Sequence, residues 1–349
     1  QLLPTDTPES TPSIQRGSFH GAGGTLLGMQ IVNVCLTIVT LGAYHFWAKA
    51  KIRRYLFSQT AFAGDRFAYH GTGKELYQGF LKATVVFGIP YFSLGAAHSF
   101  LALPQSVDFL LQAMAALVLF LYGPGAIVNA RRYRCTRTSW RGIRFSFRGR
   151  TVDFLKLYFK GWLFTLLTLG TYYPYFQTQR QAFLHSHTYF GNQRFQFTGH
   201  GSGLMVPFAV TLFTTYAVLC LCGLALALQL TNAGLTLLLI PFVLGPVWVW
   251  LLGQKQKYYW DHTTFGEARF SSSITWQKLF GLYLGNLALL LLTLGWAWPW
   301  VTVRNARFFI GTLSLQGLTD LDRVLQDTTE TSVTGEGLSN LLDTGFDMD

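Results

Sequence analysis

Charge is scarce in this chain. Asp, Glu, Lys and Arg make up 12% of its 349 residues, aromatic residues make up 16%, and half of the sequence is hydrophobic. A water-exposed surface for a chain of this size needs more charge than that, so lipid is the simplest solvent for the excess apolar area. Acids are the rarest charged groups: there are 16, eight of them after Leu318, and near the apolar stretches only Asp108 and Asp153 occur. These two are far apart and no nucleophile stands beside a base, so the chain reads as a non-enzyme with no catalytic residues and no cofactor. Cysteine is equally thin. Cys35, Cys135, Cys220 and Cys222 form no C-x-x-C pair and three lie in apolar runs, which gives neither a disulfide framework nor a zinc site.

What is present is apolar length. Stretches of about 20 residues cross a hydrocarbon core of roughly 30 Å as helix, and seven fit, at 26–47, 76–97, 109–130, 154–176, 204–228, 235–252 and 279–301. The expected fold is an all-α polytopic membrane protein with about seven transmembrane helices. Bases outnumber acids by 26 to eight before Leu318. They cluster at the ends of the apolar stretches, which points to anionic phospholipid as the partner and argues against nucleic acid. Trp and Tyr near the same ends, such as Trp47, Trp260 and Trp300, read as an interfacial belt.

Between the stretches one short pattern occurs four times: Thr60-Phe62-Arg66-Phe67, Thr138-Trp140-Arg144-Phe145, Thr188-Phe190-Arg194-Phe195 and Thr263-Phe265-Arg269-Phe270. Within each copy apolar and polar residues alternate, which predicts short β-hairpins at the membrane surface. A Thr-Leu-Gly break at 40–42, 168–170 and 293–295 recurs at separations of 128 and 125 residues. The resulting division is a disordered Pro/Ser/Thr-rich tail at 1–18, a first unit of three spans and two cassettes at 19–153, a second at 154–278, a seventh span at 279–311, and an acidic tail at 312–349. The first tail lacks a basic start followed by an apolar region, so it does not read as a signal peptide. Leu318, Leu321 and Leu325 at helical spacing give the second tail either a docked or a solvated reading.

The segments VTLGAYHFWAKAKIRRYL (39–56) and GDRFAYHGTGKEL (64–76), with GEGL at 335–338, resemble the YjgN family of bacterial inner-membrane proteins. The resemblance runs from Phe19 to Leu338 and implies a bacterial inner membrane. It supplies no catalytic residue and no ligand.

Three spans per unit, each crossing once, would put the first two cassettes on one side and the next two on the other. The distribution of bases favours that reading: residues 49–74 and 131–150 carry fourteen Lys and Arg, whereas 177–203 and 254–278 carry six. The competing reading makes each Thr-Leu-Gly segment a re-entrant hairpin with all cassettes on one face. It would draw Lys49, Lys51, Arg53 and Arg54 toward hydrocarbon at about 2.5 kcal/mol or more each.

The candidate contacts for an anion or lipid headgroup are the basic helix ends, Arg53, Arg54, Arg131 and Arg132, and the cassette arginines, Arg66, Arg144, Arg194 and Arg269. The cassette set reads first as structural staples and second as a ring at a pore mouth. Asn33 and Asn286, each nine residues before a break glycine, read as interhelical hydrogen-bonding groups, or else as the lining of a polar path; Gly161 holds the matching place between them. HGTGKE at 70–75 fails as a phosphate loop, because Ala68 stands where the first glycine is needed and Glu75 where the hydroxyl is needed. His185, His187 and His200 have no acid or Cys nearby to complete a metal site. The functional expectation is a transporter or channel-like protein for an anionic solute or lipid headgroup. The alternative is a scaffold or accessory subunit in contact with other membrane proteins.

Overall fold

The structure, a computed structural model, describes residues 14–89, 91–93, 96, 104–229 and 231–317. Ten short strands close into one antiparallel barrel, and every pair of neighbours is hydrogen-bonded around the ring. The strands are β1 (Gln15–Phe19), β2 (Thr60–Phe62), β3 (Asp65–Tyr69), β4 (Thr138–Trp140), β5 (Ile143–Phe147), β6 (Thr188–Phe190), β7 (Gln193–Phe197), β8 (Thr263–Phe265), β9 (Ala268–Ser272) and β10 (Leu313–Gln316). The four cassettes are the hairpins β2–β3, β4–β5, β6–β7 and β8–β9. In the first two, Ala63-Gly64 and Arg141-Gly142 supply the consecutive positive φ angles of a type I′ turn (51° and 87°; 49° and 77°), the turn whose twist matches the strands it joins.

The ring closes through a fifth pair built from the two ends of the chain, β10 with β1. Its register repeats that of the hairpins. Arg16 faces Ser314 as Arg66 faces Ala61, Arg144 Ser139, Arg194 Tyr189 and Arg269 Thr264. Gly17 faces Phe62 across the β1–β2 seam as Phe67 faces Trp140 across β3–β4. A Cβ at Gly17 would lie 2.7 Å from the carbonyl oxygen of Ile310, so the phenylalanine of the other copies does not fit there.

Aromatic side chains fill the barrel in two courses. Phe62, Trp140, Phe190 and Phe265 form one, with successive ring centres 6.2, 5.5 and 6.0 Å apart. Phe67, Phe145, Phe195 and Phe270 form the other as an offset stack at 6.4, 6.5 and 6.2 Å. Trp140, Phe190 and Phe265 are buried. The alternating arginines are exposed on the outer wall.

Between strand pairs the chain leaves the barrel and returns, five times in all. The outgoing and returning arms are α1 (Gly23–Val39) and α2 (His45–Gln59); α3 (Gly73–Ala83, extended by a π-turn over Thr84–Gly88) and α4 (Gln105–Thr136); α5 (Thr151–Leu167) and α6 (Tyr173–Ser186); α7 (Met205–Ala227) and α8 (Ala233–Asp261); α9 (Trp276–Leu292) and α10 (Trp298–Gly311).

This architecture corrects the all-α, seven-span expectation. Among the described residues, three helices are long and apolar enough to cross a membrane: Phe109–Thr136, Gly201–Ala227 and Ala233–Asp261. The three Thr-Leu-Gly stretches do not cross as single helices, because the motif ends one helix and starts another. Leu41, Leu169 and Leu294 adopt left-handed φ near 50°, followed by glycines at 88–94°. The glycine N–H bonds back five residues, as Gly42 to Thr37 O at 2.7 Å, and the leucine N–H three residues, as Leu41 to Ile38 O at 3.1 Å, which is a Schellman stop. The threonine hydroxyl then accepts the N–H four residues on (Tyr44 at 3.0 Å, Tyr172 at 3.0 Å, Ala297 at 3.1 Å) and so holds the entry of the returning helix. Three apolar stretches are therefore hairpins.

The inverted arrangement is corrected with it. Strands of three to five residues that close one ring leave no way for two cassettes to face one side of a bilayer and two the other. The terminal assignments shift as well: residues 15–18, placed in the disordered tail, belong to strand β1; Leu313–Gln316, placed in the acidic tail, is strand β10; and the seventh span is the pair α9–α10. Residues 1–13 and 318–349, with Leu318, Leu321 and Leu325, lie outside the described residues.

Candidate functional site

The returning arms bring the bases together. Lys49, Lys51, Arg53 and Arg54 on α2, Arg131 and Arg132 on α4, Arg180 on α6, Lys255 and Lys257 on α8, and Arg304 and Arg307 on α10 all fall six to eleven residues before their strands begin. At 1.5 Å per residue they form a layer about 9–17 Å from the barrel rim. Beyond it the hairpin tips are apolar and bare, with Leu41, Leu169 and Leu294 at 96, 81 and 91% exposure. Between residues 14 and 317 there are 26 Lys and Arg against six acids.

Some of these bases are staples. Arg54 donates to Gly71 O (3.4 Å), Arg132 to Gly149 O (3.0 Å) and Arg307 to Gly21 O (3.3 Å). Each arginine stands six residues before its strand and closes onto the glycine two residues past the other strand of the same pair. Arg53 and Arg131 are half-buried on α2 and α4. The structure does not bring Arg66, Arg144, Arg194 and Arg269 to this layer: with Arg16 they form a belt on the outer wall of the barrel, where Arg194 Nε donates to Ser186 O.

Two of the acids are committed. Glu75 caps α3 with Thr72, whose hydroxyl accepts the Glu75 N–H at 3.3 Å, and it also receives Arg137 at 2.7 Å and the Tyr133 hydroxyl at 3.0 Å. HGTGKE is thus a strand exit and a helix start. Asp65 pairs with Arg141.

Asn286 donates to Asn305 across α9–α10 at 2.7 Å. Asn33 is buried on α1 with neither amide atom paired. At Gly161 a Cβ would lie 1.9 Å from the Phe176 ring, so that position belongs to packing.

Of the three histidines, His187 bonds its own helix, with Nδ1 2.8 Å from Phe183 O, and His200 is held through its backbone by the Tyr258 hydroxyl. Among the described residues no group of three His, Cys, Asp or Glu side chains gathers as a ligand set. His185 is buried, with Nε2 2.6 Å from Gln181 Nε2 and Nδ1 3.4 Å from Thr263 Oγ1. Burial, then the positive charge of Arg131, pushes its pKa down to about 4. The unfolded chain therefore binds the extra proton first, and stability is lost as pH falls from 6.5 toward 4, by up to about 3 kcal/mol for this group. Melting temperatures across that range should show the loss in the native chain and a shallower slope in His185→Gln; equal slopes would refute the assignment.

Arg16, Arg180, Lys255, Asn305 and Arg307 were not singled out from the sequence. Counting back from each strand threonine would have aligned Arg180 with Lys255, and Gln15-Arg16 echoes Gln193-Arg194.

Comparison with known proteins agrees with a membrane setting. No solved structure matches the chain. The inner membrane protein YjgN of Escherichia coli O157:H7 is 36% identical over 129 residues, that of E. coli K12 33% over 129, and that of Salmonella typhimurium LT2 28% over 130. Each match covers 37% of this chain and 30% of the relative, so the chain spans less than a third of those proteins. With helices able to span, these relatives place the chain in the bacterial inner membrane. A model of bacterial proteins of unknown function, DUF898, matches residues 14–341, and the chain belongs to that family.

Proposed function

We propose that this inner-membrane protein binds anionic phospholipid headgroups in the basic layer between its barrel and its apolar hairpin tips. The observation that carries the reading is the order of the layers on one side of the barrel: packed aromatics, then bases, then bare leucines. A water-facing tip would not expose leucine in a left-handed conformation, whereas a tip in lipid can, since the side chain stays in its preferred solvent. The bases then lie at headgroup depth, and the positive-inside rule puts the barrel in the cytoplasm. Transport across the bilayer rested on inverted halves, and the single-faced barrel withdraws that support.

Native mass spectrometry in mild detergent tests the reading. The chain should retain phosphatidylglycerol in preference to phosphatidylcholine. Lys51 and Lys257 are exposed, so Lys51→Gln/Lys257→Gln should lose about 2 kcal/mol of that preference, roughly thirtyfold at low salt. Equal retention of both lipids by the native chain would defeat the proposal.

A further inference from the structure

Arg180 and Lys255 each stand eight residues before the threonine that opens their strand, Thr188 and Thr263, and so occupy one level on consecutive returning arms. At that level the other three returning arms carry Ile52, Ala130 and Asn305. The two arms are neighbours: His185 and Trp260, each five residues further on, have ring centres 6.2 Å apart, and the charge of Arg180 acts on Lys255 and on Tyr259. Lys255 Nζ lies 5.8 Å from the centre of the Tyr259 ring. Around them, polar atoms are buried with nothing to bind. They are the hydroxyl of Tyr259 and Oε1 of Gln177, both in residues 6% exposed, and Nε of Arg180. On α4, one residue nearer the barrel, Arg131 Nε is buried and unpaired too. No carboxylate among the described residues pairs with Arg131, Arg180 or Lys255.

Two adjacent half-buried cations without a counter-charge repel each other and lose hydration, and an anion of matching shape relieves both costs. We propose that this cluster is a binding site for a phosphate-type oxyanion, held by the guanidinium of Arg180 and the ammonium of Lys255, with the Tyr259 hydroxyl as a neutral donor. The inference rests on the reading that the basic layer takes headgroups, and it names one place within it. Arg offers a planar fork and Lys a point charge, a pairing suited to a tetrahedral anion with several acceptor oxygens. Gln177 completes the set. Its Nε2 donates to the Tyr173 hydroxyl, and a half-turn of the amide would let Oε1 accept from that hydroxyl while the NH2 faces the site. A lipid phosphodiester and free phosphate share this chemistry.

The test uses the full chain in delipidated micelles with two probes, inorganic phosphate and phosphatidylglycerol, read as melting temperature and as lipid retained in native mass spectra. Arg180→Gln/Lys255→Gln should weaken binding at least about tenfold, whereas Arg180→Lys/Lys255→Arg should keep most of it. Tyr259→Phe retains the ring and should cost about threefold, and it decides the matter should the double glutamine variant not fold. A response to phosphatidylglycerol alone assigns the site to lipid, and a response to both assigns it to the oxyanion itself. Native affinity for both probes in the glutamine variant, or unchanged affinity in Tyr259→Phe, overturns the site. If the native chain still prefers phosphatidylglycerol in that case, the reading of the basic layer stands; with no preference in the native chain, both fail.

Discussion

Replacing Trp140 by alanine is expected to cost about 3–5 kcal/mol of barrel stability, the largest loss from any single truncation on the strands. Its side chain is 4% exposed and sits in the middle of the inner aromatic course, with ring centres of Phe62, Phe67 and Phe190 at 6.2, 6.1 and 5.5 Å. It also ties two hairpins together, since Nε1 donates to Asp65 O at 3.2 Å and the Arg141 guanidinium, itself paired with Asp65, lies 4.9 Å from its ring centre. Alanine would remove the aromatic contacts, open a cavity where the surrounding rings are fixed by the closed backbone, and leave a carbonyl without its donor. Trp140→Phe keeps most of the contact area and should cost far less. Arg66→Ala, one position from the inward-facing Phe67 and on the outer wall, should stay within about 0.5 kcal/mol. Melting temperatures of the three variants in one detergent should fall in that order. A Trp140→Ala protein as stable as Arg66→Ala would mean that the aromatic courses do not hold the barrel.

The same residues explain how far the sequence could be read. Alternation from Thr60 to Tyr69 marks two strands because side chains on a strand alternate sides, a local property visible in ten residues. Which strand lies beside β3 is settled by a contact between Phe67 and Trp140, 73 positions apart, and nothing local encodes it. Closure was hidden further because the fifth pair is split between the chain ends and carries Gly17, Leu313 and Leu315 where the other copies have aromatics and threonine. Apolar run length could not separate a span from a hairpin: 154–176 and 204–228 look alike until the left-handed Leu169 and the Thr168 hydroxyl divide the first into α5 and α6. Among the candidate residues, the shared level of Arg53, Arg54, Arg131 and Arg132 followed from helix ends recognisable in sequence. Arg180 and Lys255 escaped notice because Arg180 is the lone base on its arm and Lys255 shares its arm only with Lys257, and only the barrel makes the two arms neighbours.

Single cysteines at Ala63, Arg141, Asn192 and Glu267, one in each hairpin turn, should all react with a membrane-impermeant maleimide from the same side of inner-membrane vesicles, in a chain whose four native cysteines are replaced. Under inverted halves the first two would react from one side and the last two from the other. Cysteines at Leu41, Leu169 and Leu294 should be protected from both sides although those tips are the barest residues of their hairpins, because lipid covers them. The cost that argued against re-entry is largely absent from this geometry. A 17-residue outgoing arm is about 25 Å long, shorter than the hydrocarbon core, and on the returning arm Lys49 is only four residues past His45, about 6 Å along the axis. A tip that dips through roughly one leaflet therefore leaves Lys49 within snorkelling reach of the headgroups and Lys51, Arg53 and Arg54 nearer still to water. What remains is about 1–2 kcal/mol of backbone strain at each left-handed leucine. Burial of the leucine side chain and its apolar neighbours in hydrocarbon offsets that strain, and burial in water-facing loops would not. Labelling of the three tips as readily as the turns would remove lipid from the account, and with it the reason for leucine at those positions.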